Sequence, residues 1–136
     1  MLRSVKASDY MCDRLVSFTP ETQLFDAINQ LVDNGITGAP VVNEAGELVG
    51  LLSEVDCLKA ILTLTYHEEK FGGIVGTYMS PEVCTIAHDA DIIMVAEYFI
   101  ENKRRRLPVV KDGKLIGQIS RRDVLRAVKD LKSNTW

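Results

Sequence analysis

No apolar run in this 136-residue chain approaches the roughly 18 to 20 residues that a membrane-spanning helix needs. The opening Met1-Leu2-Arg3-Ser4 also lacks the apolar h-region of a signal peptide, so the expected location is the cytoplasm, with no membrane partner. Cysteine is scarce. Cys12, Cys57 and Cys84 are odd in number, widely spaced and without a C-x-x-C pair, which implies neither a disulfide frame nor a zinc site. All three are expected in or near the core. Only two histidines occur, and His67-Glu68-Glu69 has no second histidine four residues on, so it fails as a zinc-protease helix. His88 is expected at a solvent-facing helix start. With no Walker loop ending in Lys-Ser/Thr and no nucleophile in a recognisable setting, the expectation is no enzyme, no catalytic residue, no catalytic cofactor and no metal.

What remains is the composition of a compact domain: 46% hydrophobic and 26% charged residues, with four prolines and nine glycines. The net charge is −3, but residues 1–68 hold 4 Lys/Arg against 10 Asp/Glu and residues 69–136 hold 12 against 9. The positive excess lies in Lys103-Arg104-Arg105-Arg106 and Arg121-Arg122. Such a run is either a solvated loop or an anion site. No extended basic stripe with interleaved aromatics accompanies it, so nucleic acid is not an expected partner.

The chain says nearly the same thing twice. Tyr10-Met11 returns as Tyr78-Met79 and Pro40-Val41-Val42 as Pro108-Val109-Val110, both at an interval of 68. Beyond the next turn the interval is 67, and Gly46, Leu48, Gly50, Ser53, Asp56, Leu58 and Ala60 recur as Gly113, Leu115, Gly117, Ser120, Asp123, Leu125 and Ala127. A unit of roughly sixty residues does not by itself bury a comfortable core, so two pseudo-symmetric units are expected to share one.

Each repeat reads as β-α-β-β-α, an α/β (α+β) pattern with small sheets. Leu15 to Phe18 is a short extended run, after which Thr19 is the expected helix cap, with Pro20 in the first turn. Leu24, Ile28, Leu31 and Val32 form a core-facing stripe at helical spacing, and Asn34-Gly35 stops the helix. In the second repeat Asp89 is the expected cap. Ile92, Val95, Ala96, Phe99 and Ile100 form its stripe, and the helix gives out near Asn102. Hairpins follow, turning at Glu44 to Glu47 and at Asp112-Gly113. Their second strands run into Ser53-Glu54-Val55-Asp56 and Ser120-Arg121-Arg122-Asp123, where amphipathic helices begin. The expected bounds are 5–64 for repeat 1, 65–77 for a glycine-marked linker and 78–131 for repeat 2.

S-x-x-D at a strand-to-helix junction, present twice, carries the chemistry. A serine there caps the helix, and an isolated S-x-x-D signifies no more than that. The same junction offers amide donors to an anion, and a carboxylate that can accept hydrogen bonds from the vicinal hydroxyls of a ribose. The preceding G-x-h-S at the same place in both repeats strengthens the second reading.

In these motifs the chain resembles the tandem cystathionine β-synthase (CBS) domain pair, or Bateman module. The resemblance rests on Tyr10-Met11 and Tyr78-Met79, on Gly35 to Val42 with Leu48 to Asp56, and on Arg104 to Val110 with Leu115 to Asp123. It covers about residues 5–131, and a stand-alone module is expected. It implies repeats packed through their sheets with two clefts for an adenine nucleotide. Cleft A would use Val16, Ser17, Phe18, Thr37, Gly38 and Ala39 with Ser120, Arg121 and Asp123. Cleft B would use Cys84, Thr85, Ile86, Arg105, Arg106 and Leu107 with Ser53 and Asp56. Glu54 stands where Arg121 does and repels phosphate, which favours cleft A. The leading expectation is a regulatory sensor of AMP, ADP or ATP that forms a homodimer and is read by a regulated protein partner. The alternative is an interaction or dimerisation module with vestigial clefts, or a binder of another adenosyl ligand such as S-adenosylmethionine.

Overall fold

The computed structural model describes residues 1–67 and 72–135. Glu68, Glu69, Lys70 and Phe71 of the expected linker lie outside the described residues. The fold is α+β, and the chain divides into two compact units that are offset from the sequence repeats. One comprises Met1–Leu15 with Cys84–Trp136, the other Val16–Val83.

In the unit Val16–Val83, helix α2 (Leu24–Asn34) leads to strands β1 (Gly38–Val42) and β2 (Leu48–Ser53), then to α3 (Glu54–Tyr66) and the short α4 (Val75–Tyr78). β1 and β2 form an antiparallel hairpin in which Gly38 faces Ser53 and Ala39 faces Leu52. The expected strand at Leu15 to Phe18 shrinks to one parallel bridge between Phe18 and Val41. Pro20, two residues on, has no N–H with which to extend the ladder. Gly35 takes φ +62° and ends α2, its amide donating to the Leu31 and Val32 carbonyls.

Thr19 does not cap α2. The helix begins at Leu24 after Gln23, and Thr19 instead forms a turn in which the Thr22 amide donates to its carbonyl at 3.0 Å. The chain near α4 holds that turn open. The Gly76 amide donates to Pro20 O at 2.8 Å and the Val75 amide to Thr22 O at 2.9 Å, so these carbonyls are not free to start a helix.

In the other unit a 3-10 turn (Leu2–Ser4) and the short α1 (Ala7–Tyr10) precede β3 (Ile86–Ala87), α5 (Ile92–Asn102), β4 (Arg106–Lys111), β5 (Lys114–Ser120) and α6 (Arg121–Thr135). β3 pairs parallel with β4, and β4 pairs antiparallel with β5 across Asp112-Gly113, whose φ angles are +52° and +79°. Two consecutive left-handed residues suit the twist of a two-residue hairpin. Asp89 does not cap α5. The Ala7 amide takes the Ala90 carbonyl at 2.8 Å, and Asp91 caps instead, accepting from the Met94 amide at 2.9 Å.

Each unit has its own core. Phe18, Leu24, Ala27, Leu31, Val41, Leu52 and Val75 fill one, and Ile92, Val95, Phe99, Leu107, Val109 and Ile119 fill the other. Burying a valine, leucine, isoleucine or phenylalanine side chain stabilises by about 1.5–3 kcal/mol. Two stripe residues turn out of these cores, Val32 being 73% and Ile100 79% exposed. Each ends an apolar helix face whose inner side the neighbouring alanine and leucine or phenylalanine already fill. Of the cysteines, Cys57 is buried and Cys84 half-buried, but Cys12 is exposed, its thiol donating to Arg14 O at 3.5 Å. Its backbone, paired with Gln118 on the edge of β5, fixes it there.

Candidate functional site

Both S-x-x-D segments are complete capping boxes. The Ser53 amide donates to Asp56 Oδ2 at 2.9 Å and the Asp56 amide to Ser53 Oγ at 3.2 Å; for Ser120 and Asp123 the distances are 2.8 and 3.2 Å. The first helical amides are also engaged, Glu54 donating to Thr37 O at 2.9 Å and Arg121 to Arg105 O at 3.3 Å. Fewer amides are therefore open to an anion than a bare helix start provides. Ligand recognition at these junctions falls to the carboxylates, with two lone pairs on each oxygen, and to the side chains around them.

The two carboxylates differ in their second partner. The Ser80 hydroxyl donates to Asp56 at 3.1 and 3.3 Å, a neutral contact. Asp123 Oδ1 accepts instead from Arg126 at 3.1 Å, and the same guanidinium donates to Tyr10 O and lies 5.2 Å over the Tyr10 ring. Neither Ser80 nor Arg126 stood out in the sequence. Arg126 was legible only as an i,i+3 partner of Asp123, and Ser80 had no local signal at all.

The sheet register then brings further candidates to each junction. In the unit Val16–Val83, exposed Thr37 immediately precedes β1, whose half-buried Gly38 faces Ser53 and whose buried Ala39 faces Leu52. Val16 is half-buried, Ser17 exposed and Phe18 buried in the core. In the other unit Arg106 faces Ser120 across the ladder, and Arg105 and Arg106 are both exposed. Arg121 Nε donates to Arg104 O at 2.8 Å, and Arg104 Nη2 reaches Cys84 Sγ at 3.9 Å. Cys84 and Thr85 are half-buried, while Ile86 and Leu107 belong to the core. Within single units, then, Thr37 and Gly38 lie beside Ser53, and Arg105 and Arg106 beside Ser120.

Charge separates the junctions further. Val16–Val83 holds 2 Lys/Arg against 10 Asp/Glu, a net −8, and the remaining residues hold 14 against 9, a net +5. An open groove of about 630 Å³ runs beside Asp123, lined by Arg122, Leu125, Arg126 and Lys129. Burial pushes the Cys57 thiol above its ordinary pKa, and the Asp56 and Glu54 charges add to this, so the thiol stays protonated and unreactive at neutral pH. Among the described residues no group of three or more His, Cys, Asp or Glu could hold a metal ion, and no helix is long and apolar enough to cross a membrane.

The family model of the CBS domain matches residues 7–63 and 75–130. The chain belongs to the CBS domain family. CBSX2 of Arabidopsis thaliana, described as chloroplastic, is 32% identical to this CBS pair over 155 residues, covering 93% of the chain and 65% of CBSX2. The crystal structure of CBSX2 in complex with AMP matches it with a TM-score of 0.79 and 34% identity, covering 94% of this chain and 98% of that one. The A-adding tRNA nucleotidyltransferase of Aquifex aeolicus is 33% identical over 105 residues, covering 77% of this chain but 12% of that protein. The CBS pair therefore spans less than two thirds of the length of these curated relatives.

Proposed function

We propose that this CBS pair is a regulatory ligand-sensing module, not an enzyme, and that it binds an adenine nucleotide at its S-x-x-D junctions. The observation that carries this reading is the likeness, over 94% of the chain, to CBSX2, whose crystal structure is a complex with AMP. The paired junctions supply suitable chemistry. Asp123 and Asp56 accept from ribose hydroxyls, and Arg104, Arg105, Arg106 and Arg121 supply positive charge for phosphate. Because Glu54 replaces Arg121 at the other junction, the principal site is the one with Ser120, Arg121 and Asp123. Nucleotide binding shifts the population between two states, and a regulated protein partner reads the difference. Three free cysteines suit a reducing compartment, the cytoplasm. The exposed apolar residues on α2, α3, α5 and α6 support assembly as a homodimer.

Thermal unfolding with and without AMP, ADP and ATP tests the proposal. At 100 times Kd a ligand stabilises by about 2.7 kcal/mol, which raises the melting temperature of a chain this size by roughly 3–6 °C. If no adenine nucleotide at millimolar concentration shifts melting, and mass spectrometry finds none released from the denatured protein, the interaction-module reading replaces this one.

A further inference from the structure

The two S-x-x-D carboxylates differ in the acceptor capacity they have left. An ionised carboxylate carries about two lone pairs on each oxygen. On Asp123, Oδ2 accepts from the Ser120 amide at 2.8 Å and Oδ1 from Arg126 Nη2 at 3.1 Å, which leaves one lone pair on each oxygen. On Asp56, Oδ2 accepts from the Ser53 amide at 2.9 Å, and the Ser80 hydroxyl proton is shared between Oδ1 and Oδ2 at 3.1 and 3.3 Å. Oδ2 is thus filled, and only Oδ1 has a lone pair free.

Arg126 is itself held in place. The second hydrogen of the same Nη2 goes to Tyr10 O at 3.0 Å, and the guanidinium lies 5.2 Å over the Tyr10 ring. Tyr10 is anchored in turn, its hydroxyl on Asp130 Oδ2 at 2.8 Å and the neighbouring chain paired through Cys12 with Gln118. A planar guanidinium fixed on a ring and a carbonyl has little freedom in how it meets the carboxylate. Lys59 stands at the equivalent position of the first repeat, 67 residues earlier, but among the described residues its ammonium makes no ion pair with Asp56.

We infer that Arg126 is the positioning residue that makes Asp123 selective for a vicinal diol. It takes one lone pair of Oδ1 and fixes the plane of the carboxylate, so that one acceptor on each oxygen faces the 2′- and 3′-hydroxyls of a ribose. The inference rests on the adenine-nucleotide reading above and adds which junction reads the sugar, and through which residue. Arg126 acts through Asp123 rather than by touching the hydroxyls. A deoxynucleotide leaves one fixed acceptor of Asp123 unpaired, and a site built to pair a hydroxyl rejects the analogue that lacks it. Asp56, while Ser80 stays on it, accepts from one hydroxyl and discriminates less.

Calorimetry with AMP, 2′-deoxy-AMP and 3′-deoxy-AMP tests this in a parent carrying Asp56→Asn, which removes the other carboxylate but keeps an oxygen to accept from the Ser53 amide. Expected is AMP binding about tenfold tighter than either deoxynucleotide. Arg126→Met retains the aliphatic stem without a donor, and with the wild-type side chain 54% exposed the core is left untouched. It should lower the ratio of AMP to deoxynucleotide affinity by about threefold or more. Loss of positive charge near a phosphate weakens all three nucleotides alike, so the ratio isolates the diol. Arg126→Lys restores a donor to Asp123 and with it part of the ratio. A ratio unchanged in Arg126→Met overturns the inference, as does a parent that binds all three nucleotides equally or a lysine variant no more selective than the methionine one. If the parent and the unmodified protein bind none of the three, the adenine-nucleotide reading itself falls and takes the inference with it.

Discussion

Met79 closes over Gly50, so that a Cβ added to Gly50 would lie 2.6 Å from Met79 Sδ and 3.0 Å from the Ser80 carbonyl oxygen. Met11 and Gly117 stand in the same relation in the other unit. The backbone fixes both contacts: Leu51 and Ser80 exchange hydrogen bonds of 2.9 Å, and Cys12 and Gln118 exchange bonds of 2.8 and 2.9 Å. The glycine of G-x-h-S is thus the floor on which the Tyr-Met segment sits.

Gly50→Ala should therefore destabilise the fold by about 1–3 kcal/mol, because the sulfur can swing away but the Ser80 carbonyl is tied to Leu51. Urea unfolding measures this as a lower midpoint at unchanged slope. A neutral result would mean that Met79 does not rest on Gly50.

The caps give a second, sharper contrast. Asp91→Ala removes the acceptor of the Met94 amide and should cost about 0.5–2 kcal/mol, whereas Asp89→Ala should stay within about 0.5 kcal/mol. Equal losses in thermal melts of the two variants would contradict the helix start at Ile92.

At the proposed site, Asp123→Ala should weaken AMP binding by about 1.5–3 kcal/mol in calorimetry, since the ribose loses a charged acceptor. Asp56→Ala should matter less. Both variants also lose a capping box and about 0.5–2 kcal/mol of stability, so binding is compared at a temperature where each remains folded. Equal losses of AMP affinity would make the two junctions equivalent and remove the case for a principal site.

Tyr10 gives a dependence on alkaline pH. Its hydroxyl donates to Asp130 Oδ2 at 2.8 Å, and this bond, then burial and the Asp130 charge, raise its pKa above the ordinary tyrosine value. A raised folded pKa means that the contribution is fully present below about pH 10, the unfolded value, and is lost as pH rises through the folded value. Stability should fall in that alkaline window, and Tyr10→Phe should flatten the fall. An unchanged pH profile in the variant would show that the Tyr10–Asp130 bond does not govern it.

The duplication, the hairpins, the stop at Gly35 and the two S-x-x-D helix starts were all legible in the amino-acid sequence, because each is decided by residues within a few positions of one another. Asp112-Gly113 takes φ +52° and +79°, the left-handed pair that a two-residue hairpin turn requires. The helix starts at Leu24 and Ile92 were not legible, since Pro20, Thr22 and Ala90 give their carbonyls to Gly76, Val75 and Ala7, far away in the chain. Nor did helical spacing reveal that Val32 and Ile100 face outward, because periodicity finds an apolar stripe but not the width of the core that receives it. Tyr10-Met11 and Tyr78-Met79 are the clearest case. Each lies at the opening of one repeat in sequence and packs on the hairpin glycine of the other repeat, Gly117 for Met11 and Gly50 for Met79. The residues are the same in both repeats, so either assignment makes the same local contacts. Only the path of the folded backbone selects between them.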